Sequence, residues 1–230
     1  MTTDPNPMAA DRTFYGATDS KFPRTYREEV EMVFSGLDCA LVHEQAVYCS
    51  SELTTGARLY AALREHQLKT RAELRERMGQ AWFQANLWEP NVNAAMEFAE
   101  SVRRELGGGA MVITPAPFEA PGWNQPEYWA FWEKLLRTRI KAAWFNRNWQ
   151  FSNGCAFEFA VARDAGLPTL DHEGQALDIR TGIELVKEAV DKLDAQGFDT
   201  SKLSKSLDLL LEVAHKPHKD LLTESRRRSV

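Results

Sequence analysis

The run Ser152-Asn153-Gly154-Cys155-Ala156-Phe157-Glu158-Phe159-Ala160 carries several residues able to do chemistry together. A serine ahead of a helical run acts as an N-cap, and a glycine in the first turn lets a ligand approach the backbone. The free amides and positive dipole end of such a helix favour an anion, phosphate above all; plain capping would also put a serine there. Glu158 adds a second element. At about 100° per residue, Arg163 and Asp164 lie about 140° and about 240° around the helix from it, so their midpoint is almost opposite. If those two mark the solvent face, Glu158 points inward beside Cys155, Val161 and Ala162. A carboxylate on an apolar face is unfavourable unless it has a partner or a task; a structural salt bridge or a wet helix edge is the plain alternative. An inward Glu just inside an anion-binding helix start suits attack on a sugar carbon. The phosphate or hydroxyl end of the ligand would rest on Ser152 and Gly154. The carboxylate would face the anomeric carbon as nucleophile or oxocarbenium stabiliser.

Elements able to position this segment follow from the pattern of apolar residues. Ala46-Val47-Tyr48-Cys49 reads as a strand, followed by the small-residue loop Ser50-Ser51 and Thr54-Thr55-Gly56 and then a helix over 58–66. Residues 69–89 read as helical, Pro90 as an interruption, and 91–106 as an amphipathic helix stopped by Gly107-Gly108-Gly109. A second strand is expected at 110–113, a helix at 125–140 with Pro126 in its first turn, and a third strand at 142–145. The helix from Ser152 ends at Gly166, a fourth strand covers 167–170, and two helices lie near 178–196 and 201–214. Ahead of all these, residues 1–22 read as a mobile arm and 24–37 as a short helix packed outside the sheet. Short apolar strands alternating with helices imply an α/β fold, a flavodoxin- or Rossmann-like parallel sheet with helices on both faces and extra helices at each end. Such sheets carry their sites beyond the carboxyl ends of the strands. That selects loops 50–58, 114–129 and 146–154.

Composition narrows the classes. With 230 residues, 28 Lys+Arg and 33 Asp+Glu give a net charge of −5, and the pI near 5.6 argues against a nucleic-acid polymer, which needs a phosphate-neutralising face. The one basic cluster, Arg226-Arg227-Arg228, reads as a solvated tail. A mean hydropathy of −0.44 and the lack of a long apolar run exclude a membrane span. The start MTTDPNPMAADRT lacks the pattern of a secretory signal. Cys39, Cys49 and Cys155 are too scattered for a disulfide framework or a zinc site, so a reduced, cytoplasmic setting is expected. His43, His66, His172, His215 and His218 show no metal spacing, and neither a Walker A motif nor a GxGxxG after a strand occurs. No metal or organic cofactor is called for.

The segment Ser152-x-Gly154-x-x-x-Glu158, followed by Ala162 and Gly166-Leu167-Pro168, resembles the nucleoside 2-deoxyribosyltransferase-like superfamily. That group includes deoxyribosyltransferases, nucleoside 5′-monophosphate N-glycosidases and cytidylate hydrolases. The early strand with Ser50 and Ser51 and the helix containing Leu59-Tyr60 occupy the matching places, and the likeness covers roughly residues 45–172. The resemblance implies that Glu158 attacks or stabilises C1′ and that Ser152 and Gly154 hold the 5′-phosphate or 5′-hydroxyl. It also implies a second carboxylate on the helix before the third strand, which places Glu133 there, and a homo-oligomer. This chain departs from the family pattern in having Ser50 and Ser51 where glycine is usual, Lys141 where Asp is frequent, a long insertion from about 67 to 106, and extra C-terminal helices.

Further side chains join the expected site. Phe118, Trp123, Tyr128 and Trp129 crowd the second loop, and Trp149 and Phe151 the third; an aromatic face offers a slot for a base, and Phe118 and Trp149 sit at strand ends. Asn146 stands where a sugar hydroxyl or base edge would be met, and Arg58, at a helix start, where a phosphate would be. The expected organisation is an arm and helix over 1–40, an α/β domain over 41–175 and a helical extension over 176–230. The expected activity is cleavage of the N-glycosidic bond of a small nucleoside or nucleoside 5′-monophosphate, with water or a second base as acceptor. The alternatives are a binding module that holds a nucleotide without cleaving it, and cleavage of NAD at its ribosyl bond.

Overall fold

All five residues of Ala46–Ser50 are buried, which a strand achieves only when it is paired along both edges and covered on both faces. In the computed structural model, which describes residues 24–40, 46–120 and 122–215, this segment is strand β1. It pairs in parallel with β2 (Val112–Ile113) on one side and β3 (Ile140–Phe145) on the other, and β3 pairs in parallel with β4 (Thr169–Leu170). The sheet order β2-β1-β3-β4 is the doubly wound, flavodoxin-like order, whose switch point lies between β1 and β3. The chain is therefore an α/β protein with an all-parallel sheet.

Before β1 comes α1 (Arg24–Ala40). Between β1 and β2 the chain makes α2 (Ala57–Glu65), α3 (Arg71–Met78), α4 (Gln80–Phe83), a π-helical turn over Gln84–Trp88 and α5 (Glu89–Glu105). Helix α6 (Gln125–Arg139) leads into β3, α7 (Asn153–Asp164) joins β3 to β4, and α8 (Ile179–Asp194) and α9 (Ser201–His215) follow. The side-chain period of two divides the sheet's faces. Val47, Cys49 and Trp144 pack with Phe98, Ala99 and Val102 of α5. Tyr48, Ala143 and Phe145 point the other way, into a larger core shared with α6 and α7. Helix α1 covers that second face from outside, with Phe34 edge-on to Phe131 at 6.1 Å.

Helix α7 is buried without a break from Cys155 to Ala162. A helix apolar all round needs cover on every side. The sheet supplies one side, and α8 and α9 supply another through Val186, Leu193, Leu203 and Leu210, which belong to the same core as Tyr48. The residues expected as a helical extension over 176–230 are thus part of the central core as far as they are described. Gly166 ends α7 in a left-handed turn (φ +72), with Leu167 N–H returning to the Ala162 carbonyl at 2.9 Å.

Element boundaries differ in places from the sequence reading. Strands β2 and β4 are two residues each and β3 begins two residues early, at Ile140. The helix expected over 69–89 is split at Gly79, and Pro90 interrupts nothing. It sits in the first turn of α5, directly after the π turn, and the helical path runs on past a residue that has no N–H to donate. The arm over 1–22, His43, His218 and Arg226–Arg228 lie outside the described residues.

Candidate functional site

Strand β1 delivers two hydroxyls to one point. Tyr48 and Ser50, two residues apart, share the face that meets α7. The Ser50 hydroxyl, fully buried, donates to Glu158 Oε2 at 2.6 Å. The Tyr48 phenol comes close enough to the same carboxylate for each to influence the other's ionisation, though its hydroxyl makes no hydrogen bond of strict geometry. Glu158 keeps 8% of its surface open, and that surface faces a cleft. Burial pushes its carboxyl up to about 7, against the opposing pull of the Ser50 and Tyr48 hydroxyls. A carboxylate balanced near neutrality in a cleft is what an acid, base or nucleophile requires. Cys155, beside it, has its thiol pushed far up by burial first and by the Glu158 charge next, so it is an inert neighbour.

The two loops at the switch point are held shut from within. Ser152 caps α7, accepting Cys155 N–H at 3.4 Å, and Asn153 N–H donates to Thr55 Oγ1 at 3.1 Å. At the start of α2, Glu52 accepts Ala57 N–H at 2.7 Å and Arg58 N–H at 3.4 Å. That carboxylate occupies the helix terminus where a doubly wound fold would otherwise present amides to a phosphate. Gly56 permits it: its φ is +143, and a Cβ there would lie 2.0 Å from Glu52 Oε2.

The cleft has a volume of about 730 Å³, within the range of small-molecule sites. Glu158, Ser152, Gly154, Cys155, Ser51 and Thr55 line its floor; Phe118, Trp123, Tyr128, Trp129 and Trp132 form an aromatic wall; Tyr60, Lys69, Arg71, Asp199 and Lys202 also line it. Phe118 is fixed by stacking on Phe131, with ring centroids 5.0 Å apart and planes 8° apart.

Of the residues expected from sequence, Glu158, Ser152, Gly154, Ser51 and Phe118 come together around the cleft, and Ser50 stands directly behind Glu158. Asn146 supports the floor from behind, donating through Nδ2 to Ser51 Oγ at 3.2 Å and through its N–H to the Ser50 carbonyl at 3.0 Å. Three others lie away from the cleft lining. Glu133 does not line the cleft. It is buried at the α6–α7 contact, bound by Arg137 at 2.9 Å, and Arg137 also holds Asp164 at 2.8 Å. Trp149 is core: the left-handed turn at Asn148 (φ 63) folds it back onto Phe145 and Phe159, 5.2 and 4.7 Å away. Arg58 turns toward α5, its Nε donating to Asn91 Oδ1 at 2.8 Å.

The sequence reading assigned no role to Tyr48, Trp132, Lys69 or Lys202. Strand alternation could have paired Tyr48 with Ser50, because residues two apart share a face. At position 50 the hydroxyl is the Glu158 partner, which a glycine there could not supply. Among the described residues no group of three or more His, Cys, Asp or Glu is placed to hold a metal ion, and no helix is long and apolar enough to cross a membrane. No family model matches this chain, and neither the curated proteins nor the solved structures compared with it gave a match.

Proposed function

We propose that the protein cleaves the N-glycosidic bond of a nucleoside or nucleoside 5′-monophosphate, with Glu158 as the group that meets C1′. The observation that carries this reading is a buried carboxylate, held at 2.6 Å by Ser50, at the floor of a roomy cleft with an aromatic wall. In the ionised form Glu158 attacks C1′ from the face opposite the base. The C1′–N bond breaks as a C1′–O bond forms, and the departing base nitrogen takes a proton from solvent water. Water, giving a proton back to solvent, or the nitrogen of a second base, giving up its own, then attacks C1′ and releases the carboxylate. Ser50 holds the attacking carboxyl in one rotamer through both steps, and the Tyr48 hydroxyl is the adjacent dipole that favours its charged form. The aromatic wall offers flat faces for the base.

Glu158 is the one buried carboxylate lining the cleft among the described residues; Glu119 and Asp199, also on the lining, are exposed. With Glu133 committed to Arg137, the division of roles between two carboxylates expected from sequence is dropped. One residue does the covalent work.

The test is incubation of the protein, and of Glu158→Gln, with nucleosides, 5′-monophosphates and NAD. Free base is followed by liquid chromatography with and without an acceptor base. Release by the parent protein alone supports the reading and identifies the substrate. Tight nucleotide binding without release by either protein would replace it with a binding module.

A further inference from the structure

We infer that the Lys69, Arg71 and Lys202 side of the cleft is an anion subsite that takes the phosphate end of the substrate, which makes the substrate a nucleotide and not a bare nucleoside. The inference rests on the reading that the glycosidic bond lies at Glu158. In a chain with a net charge of −5, three cationic side chains line one cleft. They come from two segments far apart in sequence, the α2–α3 connection with the first residue of α3, and the first turn of α9. Lys69 is held in place: its Nζ donates to the Gln196 carbonyl at 2.8 Å and lies 5.5 Å over the Phe198 ring. Phe198 in turn packs on Tyr60 of the cleft wall at 5.2 Å. An ammonium has three donors, so one carbonyl bond leaves capacity for an anion. Lys202 is half-buried in α9. Its nearby carboxylate, Asp199, accepts the Ser201 N–H at 2.9 Å; hydrogen bonds from Ser201 first, and the Lys202 charge after them, hold it below the usual carboxylate range and so ionised, which leaves three cations against one anion here.

The other places where a phosphate would settle are largely filled. Glu52 occupies the amide end of α2. At α7 the N–H groups of Asn153 and Cys155 are given to Thr55 and Ser152, so Gly154 N–H and the Ser152 hydroxyl remain for one neutral or singly charged oxygen. A strongly charged tail therefore gains most on the lysine side, where like charges also draw an anion into the cleft.

The experiment has two arms. Binding of inorganic pyrophosphate is measured by calorimetry for the parent protein, Lys202→Gln and the double variant Lys69→Gln/Lys202→Gln, with Lys202→Arg as the rescue. The KM values for a nucleoside and for its 5′-mono- and diphosphates are compared in the same proteins. Pyrophosphate affinity is expected to fall roughly tenfold or more in the double variant. The preference for phosphorylated substrate should fall by a similar factor, with Lys202→Arg close to the parent and urea midpoints showing each variant folded. Unchanged pyrophosphate affinity, or an unchanged preference for the phosphorylated substrate, overturns the subsite. If the parent cleaves nothing while pyrophosphate binding still depends on the lysines, the subsite stands and the glycosidase reading alone fails.

Discussion

Ser50 ends β1 and Glu158 lies in the second turn of α7, and the 2.6 Å hydrogen bond between them ties the strand to the helix across the switch point of the sheet. The bond also decides what Glu158 can do. It fixes one carboxylate oxygen, Oε2, and so sets which face of the carboxyl is turned to the cleft. It favours the ionised form in a place where burial opposes it.

Activity should therefore follow the ionised fraction of Glu158. With its carboxyl near 7, kcat/KM is expected to rise about tenfold per pH unit below neutrality and to level above it. Because the Ser50 and Tyr48 hydroxyls both pull that value down, Ser50→Ala and Tyr48→Phe should each move the midpoint upward, Ser50→Ala the more. A pH–rate profile of the three proteins checks this, and a midpoint that stays put in both variants would remove Ser50 and Tyr48 from the account.

Glu158→Gln should lower base release by about 10³-fold or more. The same change should alter stability in a pH-dependent way. The folded carboxyl keeps its proton up to about 7, whereas the unfolded one releases it near the ordinary Glu value of about 4.3. The folded state thus holds the extra proton between those values, and stability falls as pH rises through that window. The total is on the order of 3 kcal/mol. Urea midpoints from pH 5 to 8 should show the Gln variant gaining on its parent as pH rises.

Glu133→Ala separates structure from chemistry at the α6–α7 contact. It removes the Arg137 bond at 2.9 Å while the Arg137–Asp164 pair stays, and should reduce stability by about 1–3 kcal/mol. Steady-state kinetics should show kcat and KM within about twofold of the parent, since electrostatic effects of this distant pair are small beside direct contacts. A large loss of kcat in a folded Glu133→Ala protein would return Glu133 to the reaction.

Two aromatic residues that look alike in sequence should respond in opposite ways. Phe118→Ala should raise KM several-fold at modest stability loss, because it lines the cleft and is only partly buried. Trp149→Ala should lower stability by about 3–5 kcal/mol, the range for truncating a buried aromatic. Denaturation midpoints beside Michaelis curves will sort them.

This contrast shows what the sequence could and could not convey. The parallel sheet and the α7 cap were readable because each rests on local pattern: strand runs and a serine before a helix. Glu158 was placed inward on the premise that Arg163 and Asp164 face solvent, whereas both are partly buried and bonded, Arg163 to the Leu167 carbonyl and Thr169, and Asp164 to Arg137. Phe118 and Trp149 both follow strands, and proximity to a strand end does not say which way a ring turns. At Trp149 one left-handed residue, Asn148, reverses it into the core. Glu133 was placed by its position relative to β3, yet its direction is set by Arg137 one turn later and by Asp164 on another helix. Lys69 and Lys202 meet only through tertiary contact, which no local pattern encodes.

The burial of α7 between the sheet and the two last helices has a consequence for synthesis on the ribosome. The apolar surface of α7, with Phe157 and Phe159 each contributing roughly 2–3 kcal/mol when enclosed, stays uncovered until Leu203 and Leu210 have been translated. Strand β1 likewise waits for β3 before its second edge is paired. The nascent chain therefore carries an exposed sticky helix and an open strand edge through much of translation, the state that invites capture by chaperones or aggregation. Ribosomes stalled just before residue 200 should hold a protease-sensitive chain, and those stalled with residues through 215 outside the exit tunnel a resistant one.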